Sequence, residues 1–484
     1  MANIFIKTQG HTKRFDVINI SLLFWPGSKI FETNKKDCIV FISSKLHTET
    51  DLYRAEATVY FQKQRFRCQR SFRSKKEDDI LRFIKLTVYI ACQKATGISS
   101  PWGILTGIRP MAVYEKLENR FPGQAGEILE RDFLVSAEKR NILDSIYTFR
   151  KDVYYDGVEN DVSLYISIPF CPSKCSYCSF VSSAVEKVRN LIDPYVDKLL
   201  WEIEQKINLI YEAQQSIASV YIGGGTPGIL SAEQIDKILS LLFSKIRMPL
   251  KEFCFEIGRP ETVTQEKLSA LKKYPVDRLC INCQTLNDSV LEAVGRRHTA
   301  KQFIDACNLA KQNGFDCINV DFIVGLPGED VSSHLDSLKQ VLDLGVENIT
   351  IHSLSIKKAN TWLNADELYD PKSDLVVKML NDGYKLLLQQ EYTPYYIYRQ
   401  KSTLSNGENI GYAKDGFVGK YNIYMMEDVH SVFGCGAGAS TKIKNSQTGL
   451  IDRFVNTKYP QEYLKYPKKL DEQLLAIREN LKGE

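Results

Sequence analysis

The chain has 484 residues, 44% of them hydrophobic and 25% charged, with a formal net charge of +4. That is ordinary for a soluble globular protein and enough chain for two or three domains with their own cores. No apolar run of about eighteen residues occurs, and the start lacks a basic segment followed by an apolar one, which excludes a membrane-spanning helix and a secretion signal and implies a cytoplasmic location. The net charge argues neither for nor against a nucleic acid. None is expected as a partner, while a local basic pocket for an acidic ligand is compatible with it. Twelve cysteines in such a chain read as reduced thiols and metal ligands rather than disulfides.

Residues 1–150 read as a separate α+β domain. Leu52 to Phe72 is rich in Tyr, Phe, Arg and Val and predicts two strands with a turn. From Glu77 to Ala95, Ile80, Leu81, Ile84, Val88, Ile90 and Ala91 recur at helical spacing. The two glycines and two prolines of Pro101–Pro110 mark a structured loop. Over residues 160–360 short apolar runs alternate with helical segments. Strands are expected at Leu164–Ile168, Ser219–Ile222, Phe253–Glu256, Arg278–Ile281, Cys317–Ile323 and Asn348–His352, with helices such as Tyr195–Tyr211 and Ser231–Phe243 between them. Nearly continuous apolar strands alternating with helices imply a parallel sheet, and six units imply an open, partial barrel. Residues 361–484 read as a further domain, with a helix at Ser373–Gln390, a strand at Asn422–Met426 and the small-residue run Gly434–Ser440.

The sharpest chemical signal is Cys171-Pro172-Ser173-Lys174-Cys175-Ser176-Tyr177-Cys178. Three thiols spaced C-x3-C-x2-C can hold three corners of a four-iron cluster and leave one iron open. The alternatives are zinc, which prefers four closed ligands, and unrelated buried thiols. The expected strands carry further polar groups at or just beyond their ends, Gly223-Gly224-Gly225-Thr226-Pro227, Glu256, Gln284 and His352, while Asp321 lies within the fifth, whose end runs into the turn Gly325-Leu326-Pro327-Gly328-Glu329. Active sites of parallel barrels lie at the carboxyl ends of the strands.

The cysteine spacing, with an aromatic before the last Cys, resembles the radical S-adenosylmethionine superfamily. The stretches Leu164–Phe180, Tyr221–Pro227, Glu256–Pro260, Arg278–Asn287, Gly295–Thr299, Asn319–Glu329 and Gly434–Ser440 resemble its oxygen-independent coproporphyrinogen III oxidase group. Pro101–Pro110 and Asn406–Tyr412 resemble the HemZ-type branch. The resemblance implies an α/β fold, a partial (β/α)6 radical-SAM barrel with an N-terminal α+β domain and a C-terminal accessory domain. It implies a [4Fe-4S] cluster on Cys171, Cys175 and Cys178, S-adenosyl-L-methionine as cofactor, a tetrapyrrole substrate and an electron donor. It further implies cofactor contacts at Gly224, Gly225, Thr226, Glu256, Gln284, Arg296 and Asp321, with Ser355 as a further one, and a catalytic role for Tyr165 beside cofactor and substrate. The expected reaction is decarboxylation of coproporphyrinogen III to protoporphyrinogen IX.

The pattern departs from the group in two places. The decarboxylating enzymes carry a further Cys two residues after the last ligand, where this chain has Phe180, as the related haem chaperone does. That chaperone carries a His-Asn pair where this chain reads Glu408-Asn409, and a glutamate is a poor haem ligand. Arg109, Arg259, Lys357, Arg399 and Lys401 are expected as cations for the substrate carboxylates. Cys280 and Cys283 are expected to be buried small hydrophobes rather than an auxiliary cluster. Tyr395, Tyr396 and Tyr398 are expected to serve packing.

Overall fold

The computed structural model describes residues 2–33, 37–153, 160–178, 180, 182–247, 249–356, 374–400, 403–445 and 447–482. Lys357 and Lys401 lie outside the described residues. The chain divides into two compact units. One comprises Met1–Tyr147, Leu363–Asn381 and Tyr398–Glu408; the other comprises Thr148–Trp362, Asp382–Ile397 and Asn409–Glu484. Among the described residues no helix is long and apolar enough to cross a membrane.

The first unit holds a sheet of β1 (Asn3–Gln9), β2 (Lys29–Phe31), β3 (Val40–Glu49), β4 (Leu52–Phe61) and β5 (Gln64–Phe72), in the order β2-β1-β3-β4-β5. The expected two strands between Leu52 and Phe72 are β4 and β5. Their turn is Gln62-Lys63, both with positive φ (51° and 63°). Helices α1 (Arg14–Ser21) and α2 (Glu77–Thr96) cover one face. Period-two alternation decides which residues meet them: Ile4, Ile6, Val40, Ile42, Ala57 and Val59 are buried in one core with Val88, Ala91 and Cys92 of α2.

The loop Pro101–Pro110 is organised around buried polar groups of the same unit. Trp102 Nε1 donates to Glu408 Oε2 at 2.8 Å, and the other Glu408 oxygen takes Lys139 Nζ. Lys139 also donates to Asn381 Oδ1 at 2.9 Å. Arg399 lies over the Trp102 ring at 5.3 Å and donates to the carbonyls of Leu105 and Asn406. Arg399, expected as a substrate cation, is therefore engaged internally.

In the second unit six strands run parallel and in chain order: β6 (Asp161–Ile168), β7 (Ser216–Gly224), β8 (Glu252–Gly258), β9 (Arg278–Ile281), β10 (Ile318–Val324) and β11 (Asn348–Ser353). Helices Ile192–Glu212, Ala232–Lys245, Gln265–Lys272, Ala300–Gln312 and Val331–Asp343 connect them. The starts of three are set by capping boxes at Ser231, Thr299 and Asp330. The sheet extends beyond the six through β12 (Thr393–Arg399), β13 (Glu408–Ala413), β14 (Val432–Cys435), β15 (Ser440–Lys444) and β16 (Ile451–Val455). The order is β12-β13-β11-β10-β9-β8-β7-β6-β14-β15-β16, with no closed barrel. The small-residue run begins in β14, which pairs parallel with β6.

One expected element differs. Asn422–Met426 is not a strand but lies within the helix Lys420–Met426. Its Tyr and Ile residues favour strands, yet Tyr421 and Tyr424 stand three apart and both are buried. As a helix the segment carries Tyr421 and Tyr424 on one side, with Ile423 buried beside them. Tyr395 and Tyr396 are buried, with hydroxyls on Asn348 and Thr350, as packing requires.

Candidate active site

The cysteine loop begins where β6 ends, at Pro169. The pairs Phe170–Ser183 and Cys171–Ala184 join its two ends in parallel register. Ser176 N and Oγ both donate to Val294 O, at 3.1 and 3.2 Å, and Ser173 Oγ donates to Gly295 O at 3.3 Å. The loop is thereby tied to the turn beyond β9. Cys171 and Cys175 are buried and Cys178 is half-buried. Burial pushes the Cys171 thiol above its ordinary range and Cys178 up to about 11, and each of these two thiols is influenced by Cys175.

Arg259, expected on the substrate, is turned into this loop. Its Nη2 donates to Cys175 Sγ at 3.1 Å, Ser173 O at 2.9 Å and Ser173 Oγ at 3.2 Å, while Nη1 meets Glu261 Oε1 at 3.1 Å. Glu261 also faces His298 Nδ1 at 3.5 Å. Burial would raise the Glu261 carboxyl, but His298 and Arg259 hold it down at about 2. Arg296 is buried as well. It donates to Tyr177 Oη at 2.8 Å and to Asn282 O. Its neighbour Arg297 is exposed and pairs with Glu186 at 2.9 Å.

The glycine run ends β7 beside the loop. Gly225 N donates to Ile168 O and Thr226 N to Phe170 O, at 2.8 and 2.7 Å, and Thr226 Oγ1 lies 3.5 Å from Cys171 Sγ. A Cβ on Gly225 would stand 2.5 Å from Phe170 O, so only glycine permits this approach.

Strand register collects the remaining predicted residues on one face, because paired residues of parallel strands point the same way. Tyr165 pairs with Tyr221, Glu256 with Cys280, and Asp321 with Thr350. Tyr165, Tyr221 and Tyr421 form a ring group, with Tyr221 and Tyr421 4.8 Å apart and Tyr165 and Tyr221 6.2 Å apart. Tyr221 Oη donates to Glu256 Oε2 at 3.3 Å. Asp321 accepts from Asn319 Nδ2 at 2.9 Å and lies 3.7 Å from His352 Nε2. Burial, then the Asp321 charge, push the Glu256 carboxyl up to about 8. Burial would also raise Asp321, but His352, Asn319 and Thr350 outweigh it and hold that carboxyl below its ordinary range. One acid is poised to be neutral and its neighbour ionised.

Gln284 follows β9 in left-handed backbone (φ 71°), and its buried Oε1 has no hydrogen-bond partner. An unpaired amide oxygen at a strained position at a strand end is what a missing donor leaves behind. Ser355 follows β11 and is half-buried.

Two residues central to this geometry escaped sequence reading. Asn282 donates to Glu256 Oε1 at 3.2 Å, accepts from Asp321 N at 3.3 Å through Oδ1, and its carbonyl receives Arg296. Tyr221 was legible only as an aromatic in an apolar strand. Of the two thiols weighed for an auxiliary cluster, Cys280 Sγ lies 3.4 Å from Cys254 Sγ and Cys283 Sγ lies 3.8 Å from Asp321 O. Among the described residues no three His, Cys, Asp or Glu side chains stand close enough to share an ion. The donors of the loop and the strand ends nonetheless suit a thiolate-ligated cluster and a cofactor with amine and hydroxyl groups. A guanidinium already lies on one sulfur, and carboxyls and an unpaired amide oxygen line the next strands.

The comparisons with known proteins agree with this arrangement. The Radical SAM superfamily model matches residues 165–341. The chain is 37% identical over 381 residues to the oxygen-independent coproporphyrinogen-III oxidase-like protein HemZ of Bacillus subtilis, covering 77% of this chain and 75% of that protein. It is 32% identical over 308 residues to the heme chaperone HemW of Haemophilus influenzae, covering 63% and 76%. Its fold is similar to that of coproporphyrinogen III oxidase HemN of Escherichia coli, a radical SAM enzyme, with a TM-score of 0.52 at 22% identity over 67% of this chain and 72% of that one.

Proposed function

This chain belongs to the radical S-adenosylmethionine superfamily and, within it, to the family of the oxygen-independent coproporphyrinogen-III oxidase-like protein HemZ, and we propose that it decarboxylates coproporphyrinogen III to protoporphyrinogen IX in haem biosynthesis. In this reading residues 160–360 carry the chemistry, and Cys171, Cys175 and Cys178 hold a [4Fe-4S] cluster. When bound, the cluster and S-adenosylmethionine supply one-electron cleavage and a 5′-deoxyadenosyl radical that takes hydrogen from a propionate side chain.

The chain's own residues bind and orient. Gly224, Gly225 and Thr226 bring backbone close to the cofactor, and the ionised Asp321 accepts from ribose hydroxyls. Glu256, Gln284 and Arg296 supply the remaining polar contacts, and Tyr165, beside Tyr221 and Tyr421, lies near cofactor and substrate in this reading. Arg259 offsets the negative charge that three thiolates accumulate. The observation that carries the reading is the convergence, on one parallel sheet, of the cysteine loop, the carboxyls of Glu256 and Asp321 within their strands, and the unpaired Gln284 oxygen beyond a strand end.

A second reading, a haem chaperone, draws on the similarity to HemW and on Phe180, which is 67% exposed where a further Cys would stand. Glu408 argues against it. It occupies the position of the chaperone's histidine, is 1% exposed, and is held by Trp102 and Lys139. An anaerobic assay with reconstituted cluster, reductant and coproporphyrinogen III decides. Protoporphyrinogen IX and 5′-deoxyadenosine are expected, and both are lost in Cys175→Ala. Formation of 5′-deoxyadenosine without protoporphyrinogen would remove this substrate and keep the radical class. Stable haem binding without cofactor cleavage would favour the chaperone.

A further inference from the structure

The N-terminal sheet buries one face under α1 and α2, and its other face carries an ordered pattern. Strand register aligns Phe31, Phe5, Phe41, Tyr60 and Arg65 in one row across all five strands. Neighbouring rings stand 5.1 Å (Phe5 to Phe41) and 5.5 Å (Phe41 to Tyr60) apart, and Arg65 lies 5.9 Å over Tyr60. Tyr60 is 43% exposed, and the three phenylalanines are half-buried. The next row in register is Lys7, Ser43, Thr58 and Arg67. Lys45 and Arg54 lie further along the same face, which carries Glu49 and Glu56 as its opposing carboxylates. Those pair with Arg54 at 3.3 Å and Arg67 at 2.8 Å, and Lys45 stands opposite Glu56 in the ladder, whereas Lys7 and Arg65 form no ion pair among the described residues.

We propose that this face binds single-stranded nucleic acid. The rings of the row are tilted 50° (Phe5 to Phe41) and 67° (Phe41 to Tyr60) to one another, so bases would lodge against single rings, Tyr60 above all, while the cations of the face suit a phosphate backbone. Aromatic rings do not discriminate strongly among bases, so a sequence-tolerant single strand is the occupant that fits. The overall charge of +4 conceals such a face, because it sums over acidic surface elsewhere. A tetrapyrrole fits less well: ring ligands of that size are usually enclosed in a concave site, and here the rings stand on an open sheet.

The test uses the full chain and a fluorescein-labelled oligouridylate of about ten nucleotides, followed by anisotropy at about 50 and 200 mM salt. Binding that weakens with salt is expected. Tyr60→Ser should weaken it about tenfold, and Lys7→Gln should lower the salt slope by roughly one. Lys7→Gln should leave the thermal transition in place, since Lys7 is exposed; Tyr60→Ser removes the contact with Phe41 and should lower the transition slightly without unfolding the sheet at the assay temperature. Absence of binding at the lower salt, or equal affinity in Tyr60→Ser, would overturn the proposal. So would binding of protoporphyrin IX or of anionic vesicles in place of the oligonucleotide.

Discussion

Asn282 donates its side-chain amide to Glu256 Oε1 at 3.2 Å, while its side-chain oxygen accepts from the backbone N–H of Asp321. One neutral residue thus holds two acids of opposite tendency, Glu256 raised to about 8 and Asp321 lowered. The raised group has a pH signature. The folded protein keeps the Glu256 proton while the unfolded chain loses it near its ordinary value, so stability falls as pH rises between about 4.5 and 8 and levels off above that. Glu256→Gln removes the dependence. The cofactor-free variant should gain on the order of 1–3 kcal/mol over wild type at pH 8.5 and little at pH 4.5. Urea unfolding at the two pH values measures the difference, and equal gains at both would refute the assignment.

Gln284 places a side chain in left-handed backbone. Gln284→Gly relieves that strain and should stabilise the cofactor-free protein by roughly 1 kcal/mol. The same change deletes the unpaired oxygen and should weaken S-adenosylmethionine binding at least about tenfold. Chemical denaturation and calorimetric titration read the two effects separately. A variant that is less stable, or that binds normally, contradicts the reading of this position as a ligand contact.

Arg259 joins Cys175, Ser173 and Glu261. Arg259→Met leaves the half-buried Glu261 with one fewer cation, and a loss of about 1–3 kcal/mol is expected. Glu261 is held low, near 2, so its contribution is complete above its unfolded value and is lost as pH falls through about 2. The variant should therefore unfold at higher pH during acid titration than wild type, followed by far-ultraviolet circular dichroism. Iron and sulfide retention after anaerobic reconstitution should fall as well. Unchanged retention would limit Arg259 to a structural role.

Lys139 and Glu408 are both 1% exposed and paired. Lys139→Met strands a buried carboxylate and should cost about 3–5 kcal/mol. Lys139→Met with Glu408→Gln should recover most of that loss, because the amide oxygen can still accept from Trp102. A double-mutant cycle in guanidinium measures the coupling. Additive losses would show that the two side chains do not act as a pair.

The six parallel strands were readable because buried parallel strands are apolar throughout and lie between amphipathic helices. The helix at Lys420–Met426 was not. Seven residues give too few turns for periodicity to separate helix from strand, and burial of Tyr421 and Tyr424 settled it. Arg259 and Arg399 were misplaced for a related reason. Sequence position marks them as cations near a motif, but only packing reveals that their donors are already engaged.

By itself the sequence determined which local spacings of candidate ligand residues this protein carries. C-x3-C-x2-C is a local spacing, and so are a glycine run after a strand and an acid at a strand end. Local spacing survives in one dimension because the chain connects those residues directly. Only the tertiary structure decided which residues hold those groups in place. Asn282 links acids on two other strands, and Arg259 reaches from the end of β8 to a sulfur 84 residues earlier. The aromatic row exists only when five strands lie in register. Such relationships depend on strand order and register, which long-range pairing sets and no local pattern records.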